Sequence, residues 1–202
     1  KLGLMRATIA YFTNRRDPRF AWFADSLSRQ LWPEDLAQLQ VLFIDAQLWG
    51  IGPEVANRYL RRAGKFPLAD PRWHNWARRE QLDQAVHGRF NYTHVPPKPC
   101  SWQGPFRYTQ EDWFAAANAR NTAIILAERD YLLCVDDLSV LAPGWVDNAR
   151  HAAHHGYVVA GAYKKLLEME VDDGYLVSYK DNPAGVDSRW GAGSSTGIVP
   201  WH

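Results

Sequence analysis

Two adjacent carboxylates, Asp136 and Asp137, directly follow an apolar run at residues 131–135. The run has the length and composition of a short strand that is buried on both faces. Acids at the carboxyl end of a parallel strand lie where open α/β folds bind their ligands, and they offer hard oxygen ligands to a divalent cation that neutralises a diphosphate. The alternative is that the two acids only cap a turn, because Asp is common in turns and at helix starts.

Helices are predicted on both sides of these acids. Residues 112–128 show the apolar periodicity of a helix, which carries the sequence Ala-Arg-Asn at 119–121. After the acids, Pro-Gly-Trp at 143–145 breaks the chain before a second predicted helix at 145–155. The acids are therefore expected on a loop between ordered elements.

Four features of this region occur in a fixed order: the Ala-Arg-Asn helix, the buried strand, the paired acids and the Pro-Gly-Trp break. Their order and spacing resemble the nucleotide-sugar half of GT-A glycosyltransferases, especially those of family 2. One departure is Leu138, which stands where many relatives have a third acid. The resemblance therefore implies an x-Asp-Asp motif, with Asp136 facing the ribose and Asp137 on the metal.

The same resemblance implies an α/β fold of the GT-A (Rossmann-like) type, with a mixed, mostly parallel sheet flanked by helices. The nucleotide-sugar-binding domain would span residues 5–202, and residues 1–4 would be a cloning remnant. Relatives continue with an acceptor-facing part that carries a Gly-Phe-Asp segment and a Glu-Asp pair, and no such motif follows Asp137. We therefore expect the front portion of a longer protein, or a cleaved product, without the general base.

The resemblance also implies a donor site that uses Mn²⁺ or Mg²⁺. Asp137 and Asp136 are its expected metal ligands. The residues expected to contact the donor nucleotide are Thr13, Asn14, Arg15, Asp45, Lys98, Arg120, Asn121 and Asp136.

Thr13, Asn14 and Arg15 begin a polar loop that follows a predicted strand at residues 6–12 and precedes a predicted helix at 20–31. In the resembling family this loop lies beside the nucleotide base. The alternative is that its arginines are solvated charges.

Asp45 ends a second predicted strand at residues 39–44. By resemblance, its carboxylate accepts a hydrogen bond from the uracil or guanine ring, although an Asp in this position can equally cap its own turn.

The pattern is looser between the second strand and the acid region. Pro53 begins a predicted short helix at 53–63, whereas residues 65–84 have no clean period. A strand is predicted at 91–95, and a Pro-rich segment follows it. Lys98 in that segment could approach a phosphate, but a structural role is equally open.

Later in the chain, a core strand is predicted at 157–163 and a hairpin at 168–179, with its turn at Asp173. His151 and His155 have the i, i+4 spacing of a metal pair. No HExxH-type glutamate accompanies them, so they are interpreted as solvated residues at a helix end.

Composition sets outer limits. The chain has 202 residues, enough for one substantial domain, and its formal net charge of +1 demands no polyanionic partner. Two cysteines far apart in sequence, Cys100 and Cys134, form no disulfide framework, so we expect a reducing compartment and a cytoplasmic location. No apolar stretch approaches the ~20 residues needed to cross a membrane.

The function implied by the resemblance is metal-dependent, inverting transfer of a sugar from a UDP- or GDP-sugar to an unknown acceptor. Similar soluble sequences occur among bacterial and bacteriophage transferases, for which glycan, protein and modified-DNA acceptors are all open. One alternative is a catalytically incomplete nucleotide- or carbohydrate-binding module. Another is a nucleotidyltransferase, although the loop at residues 13–18 contains none of the glycines typical of such enzymes.

Overall fold

The centre of the fold is a four-stranded parallel sheet. It is seen in a computed structural model that describes residues 6–48, 71–102, 108, 114–159, 166–181 and 198–200. The strands of this sheet are β1 (Ala7–Thr13), β2 (Gln40–Asp45), β3 (Tyr92–Val95) and β4 (Tyr131–Asp136). Their spatial order is β3-β2-β1-β4, and every neighbouring pair is parallel. The predicted α/β class is confirmed, whereas the described four-stranded sheet is all-parallel where a mixed, mostly parallel sheet was predicted. The strand order is compatible with a Rossmann-like fold.

Four α-helices and a short 3₁₀ helix are described along the chain. They are α1 (Phe20–Ser28), the 3₁₀ helix (Pro33–Ala37), α2 (Pro71–Val86), α3 (Ala116–Leu126) and α4 (Trp145–His155). The predicted helix at 145–155 is confirmed, and those at 20–31 and 112–128 correspond to the shorter α1 and α3. The predicted helix at 53–63 lies outside the described residues. Within the described part of the chain, no helix is both long and apolar enough to span a membrane.

Helix α2 was not predicted, because its buried face is interrupted by a charge. Arg78, Leu82 and Val86 are spaced four residues apart and are all buried. This spacing places them on one side of a helix. An arginine in the first of these positions removes the apolar period that would have indicated the helix.

Helices cover both faces of the sheet, so β1 is buried along its whole length. On one face, Tyr11 packs among the aromatic rings of Phe20, Phe23 and Phe43, with centroid separations of 4.9–5.9 Å. The other face of the sheet packs against α3 through Ala119 and Ala123. Burial of apolar side chains on both faces holds β1 and β2 in place. The positions at which the loops after these strands begin are therefore fixed.

The edge strand β4 departs from prediction. It was expected to be buried on both faces, but only Val135 is buried and Cys134 is exposed. The reason is position, since β4 pairs with β1 alone in the described sheet. A continuous apolar run therefore did not distinguish a central strand from an edge strand.

In the described residues, four further strands form two small antiparallel sheets. They are β5 (Tyr157–Val159), β6 (Leu166–Asp172), β7 (Tyr175–Asp181) and β8 (Ile198–Pro200). The predicted hairpin is confirmed as β6 and β7, and its turn has positive φ at Asp173 (45°) and Gly174 (77°), as a two-residue primed turn requires. The predicted core strand at 157–163 is described only as β5, which pairs with β8 and not with the main sheet.

A buried ion pair fastens α4 to the 3₁₀ helix. Arg150 Nη2 donates to Asp35 Oδ2 over 2.5 Å, and the two side chains are 1% and 0% exposed. Arg150 Nη1 also donates to Asp147 Oδ1 over 2.6 Å, and the guanidinium carbon lies 3.7 Å from the Trp32 ring centroid. The charge of Arg150 is therefore balanced inside the protein.

We predict that Asp35→Ala lowers the free energy of unfolding by about 3–5 kcal/mol, because it leaves the Arg150 charge buried without its principal partner. Urea denaturation measures this loss. The control is Asp130→Ala, which removes an exposed ion pair with Arg6 and should cost no more than about 1 kcal/mol. Equal losses in the two variants would contradict a special role for the buried pair.

Candidate functional site

The strand order creates a topological switch point between β1 and β4. The chain runs outward from β1 through β2 to β3, and then returns to the opposite side of β1 as β4. At such a point the loops that follow the two adjacent strands diverge and leave a crevice at the carboxyl edge of the sheet. Residues 14–19, here called the first loop, and residues 137–144, here called the acid loop, leave the sheet at this point.

The two loops meet at Asp137. Thr13 Oγ1 donates a hydrogen bond to Asp137 Oδ2 over 2.9 Å, and Arg15 Nε donates to Asp137 Oδ1 over 3.2 Å. The Asp137 side chain is 18% exposed, whereas that of Arg15 is 57% exposed. Three of the residues expected at the donor site therefore come together, although more than a hundred residues separate Asp137 from the other two.

The neighbouring acid, Asp136, pairs with a different arginine. Arg120 Nη2, on α3, lies 2.9 Å from Asp136 Oδ1, and both side chains are substantially exposed. The Arg120 guanidinium also lies 5.5 Å from the ring of Phe12 on β1. The adjacent carboxylates therefore each face an arginine supplied by a separate element.

The backbone of the acid loop is held by a buried hydroxyl. Leu138 has a φ of 56°, a backbone conformation that residues other than glycine rarely adopt. Its N–H donates to Tyr11 Oη over 3.3 Å. The same hydroxyl donates to the carbonyl oxygen of Pro18 in the first loop over 2.7 Å. Burial raises the pKa of Tyr11 far above its usual value, and the negative charge of Asp137 raises it further. The protonated hydroxyl thus joins the two loops below the acids.

Asp45, expected to read the base, is completely buried at the end of β2. Arg78 donates to both of its oxygens, over 2.6 and 3.2 Å, and His94 Nε2 lies 3.1 Å from Oδ2. The backbone N–H of Gln47 donates to Oδ1 over 2.9 Å. Burial alone would raise the pKa of Asp45, but the hydrogen bonds from His94 and Arg78 outweigh it and hold that pKa below its usual value. A base contact at Asp45 stays a prediction, and it requires one of these partners to give way.

The remaining predicted contacts are Asn14 in the first loop, Lys98 after β3 and Asn121 on α3. The backbone and side-chain oxygens of Asn14 accept hydrogen bonds from Gln47 Nε2 over 2.8 and 3.2 Å. The backbone of Lys98 is fixed to α3, because its N–H donates to Thr122 Oγ1 and its carbonyl accepts from Asn118 Nδ2. The side chains of Lys98 and Asn121 are exposed, and no hydrogen bond among the described residues joins either of them to the acids.

The candidate metal ligands at this edge of the sheet are two carboxylates. Among the described residues, no three His, Cys, Asp or Glu side chains cluster as a metal site. Asp136 and Asp137 still supply two hard oxygen ligands, and Mg²⁺ in nucleotide sites commonly takes one or two carboxylates together with substrate phosphates. The histidines at the end of α4 are exposed, as predicted, with His155 Nδ1 2.8 Å from the carbonyl oxygen of His151.

Two residues that build the site were missed at the sequence level. Tyr11 lies in the middle of an apolar strand, where an aromatic residue indicates only core packing. Arg78 lies in the stretch without a period, and its i, i+4, i+8 relation to Leu82 and Val86 indicates a helix face only if a charge is allowed at a buried position. Neither residue type nor local pattern revealed which loops they would contact.

We predict that Tyr11→Phe lowers the free energy of unfolding by about 1–3 kcal/mol, because it leaves the Leu138 N–H and the Pro18 carbonyl without their shared partner. Urea denaturation measures the change, and hydrogen exchange at the Leu138 amide should accelerate. The control is Tyr92→Phe, since the Tyr92 hydroxyl donates to the exposed Asp83 carboxylate on α2. Equal costs in both variants, with unchanged exchange at Leu138, would contradict the bridging role.

The site is assigned from its own geometry. No protein-family model matches this chain, and no curated protein or solved structure is significantly similar to it. The features that bear on function are the meeting of Thr13, Arg15 and Asp137 at the switch point and the adjacent Arg120–Asp136 pair.

Proposed function

We propose that this chain binds a UDP- or GDP-sugar with Mn²⁺ or Mg²⁺ at the switch point and transfers the sugar to an acceptor, as a GT-A-type glycosyltransferase of the family 2 kind. The observation that carries the proposal is the contact of Asp137 with Thr13 and Arg15. It brings an acid loop and a polar loop together at the edge of the sheet where open α/β folds bind nucleotides.

The charges at the site suit a diphosphate leaving group. Arg15 and Arg120 each carry a guanidinium beside one of the two acids. Guanidinium groups bind phosphate oxygens through paired hydrogen bonds, and their exposure here leaves them open to a ligand. We assign both arginines to the diphosphate, and we assign Asp137 and Asp136 to the metal.

In the proposed transfer, the oxygen of an acceptor hydroxyl forms a bond to the anomeric carbon while the bond from that carbon to the diphosphate breaks. The electron pair leaves on the diphosphate, and the hydroxyl proton passes to a general base. The metal would neutralise charge on the leaving group, and Arg15 and Arg120 stabilise the same charge. Asp136 and Asp137 are both assigned to the metal, so the base has to be another residue.

A nucleotide-binding module without catalysis is the second candidate. The observation that favours it is that Asp137 is paired with Arg15 and Asp136 with Arg120, so neither carboxylate stands unpaired as a candidate base. Both candidates require metal-dependent nucleotide binding at Asp137. They differ in whether the bond between sugar and diphosphate is broken.

We predict that UDP or GDP binds more tightly with Mn²⁺ than without it, and that Asp137→Asn weakens the metal-dependent binding about tenfold or more. Isothermal titration calorimetry measures both affinities. The matched control is Asp130→Asn, which alters an exposed acid paired with Arg6 and should bind as the unaltered chain does.

Two outcomes bear on the proposal directly. If the unaltered chain binds neither nucleotide in the presence of Mn²⁺, the proposed function is wrong. If it binds, slow hydrolysis of a donor sugar that disappears in Asp137→Asn supports the transferase, whereas binding without any hydrolysis or transfer supports the module.

A further inference from the structure

We propose that Arg78 is a positioning residue that holds the first loop in place, so that Arg15 is presented to Asp137. Where it concerns ligand binding, this inference rests on the proposed function. The structural part stands on the contacts of Arg78 alone. It also gives Asp45 a role other than the predicted base contact, because its carboxylate is the counter-charge that holds the Arg78 guanidinium in place.

The guanidinium of Arg78 is 4% exposed and is fully hydrogen-bonded. Nε and Nη2 donate to the two oxygens of Asp45, and Nη1 also donates to Gln81 Oε1 over 3.2 Å. The remaining donors reach the first loop, with Nη2 2.6 Å from the carbonyl oxygen of Arg15 and Nη1 2.7 Å from that of Arg16. All five N–H groups of an arginine are thereby used.

These contacts fix the backbone on both sides of the Arg15 side chain. The N–H of Arg15 donates to Thr13 Oγ1 over 3.1 Å, and its carbonyl accepts from Arg78. The first loop lies outside helices and strands, and the backbone carbonyls of Arg15 and Arg16 accept hydrogen bonds from the Arg78 side chain. With both ends of the residue held, the guanidinium of Arg15 is directed to the carboxylate of Asp137.

Asp45 supplies the charge that keeps Arg78 in this orientation. Its two oxygens meet Nε and Nη2 as a fork, and His94 and the Gln47 N–H complete its hydrogen bonds. The guanidinium carbon of Arg78 also lies 5.1 Å from the ring of Phe20. A buried carboxylate that accepts hydrogen bonds at both oxygens holds a neighbouring cation well, and a base could bind it only if one of these partners moved away.

The competing interpretation is that Arg78 only attaches α2 to the sheet. Arg150 provides the matched comparison, because it is equally buried and paired with an Asp, yet its partners are Asp35 and Asp147 rather than the first loop. Loss of either arginine should destabilise the fold. Only loss of Arg78 should release the first loop.

Limited digestion with trypsin distinguishes the two roles, because the peptide bond after Arg15 contains the carbonyl that Arg78 holds. Once rates are corrected for global stability measured in urea, Arg78→Met should be cleaved at that bond about tenfold faster than Arg150→Met, as expected for a local opening that has lost its hydrogen bonds. Cleavage sites are identified by mass spectrometry. Equal corrected rates in the two variants would overturn the proposal.

A second variant keeps the test decisive if Arg78→Met does not fold. Arg78→Lys retains a positive charge for Asp45 but cannot reach two carbonyls with a planar fork. It should therefore fold and still be cleaved faster after Arg15 than Arg150→Lys. Cleavage no faster than in Arg150→Lys would overturn the proposal in the same way.

Ligand binding provides a further test, because a purely structural role of Arg78 predicts no coupling between Arg78 and Arg15 in nucleotide affinity. If Arg78 acts through Arg15, Arg15→Ala should weaken Mn²⁺-dependent UDP or GDP binding in the unaltered chain but have little added effect in Arg78→Lys. Fully additive effects would overturn positioning through Arg15. Absence of nucleotide binding by the unaltered chain would refute the proposed function, while the cleavage after Arg15 would still decide the role of Arg78.

Discussion

The parallel pairing of β1 with β4 is the constraint on which the site depends. Phe12 lies opposite Asp136 in this pairing, so the residues that come next, Thr13 at the end of β1 and Asp137 at the start of the acid loop, lie side by side. Because β1 is buried on both faces, a shift of one residue would exchange the side chains that pack on them, which place Tyr11 in one core cluster and Phe12 in the other. The register is thus fixed by core packing, and the contact between the two loops follows from it.

Buried side chains, rather than regular structure, order the loops beside the acids. Tyr11 joins the first loop to the acid loop from below, and Arg78 holds the first loop from the side of α2. The sequence predicted the residues that end the strands, because strand ends follow from hydrophobic patterning. It could not predict Tyr11 or Arg78, because each acts through contacts with backbone atoms that are distant in sequence and depend on the completed fold.

The fold was predictable where one pattern dominated a segment. Strands β1 and β2, helix α4 and the hairpin turn at Asp173 each follow from periodicity or turn chemistry, and all are present. Prediction failed where tertiary position decided the outcome. The apolar run of β4 does not reveal that the strand lies at an edge. Arg78 interrupts the apolar period of α2, and its charge is tolerated on the buried side of that helix because it pairs with Asp45.

The most direct measurement of the central claim is Mn²⁺-induced broadening of backbone amide signals in the presence of UDP or GDP. A metal bound at Asp137 and Asp136 should selectively broaden the signals of residues 13–15 and 136–139, because paramagnetic broadening falls steeply with distance. The exposed histidines at the end of α4 provide an internal comparison, since imidazole also binds such ions. Broadening centred on those histidines, or none that is selective for the two loops, would contradict a metal–nucleotide site at the switch point.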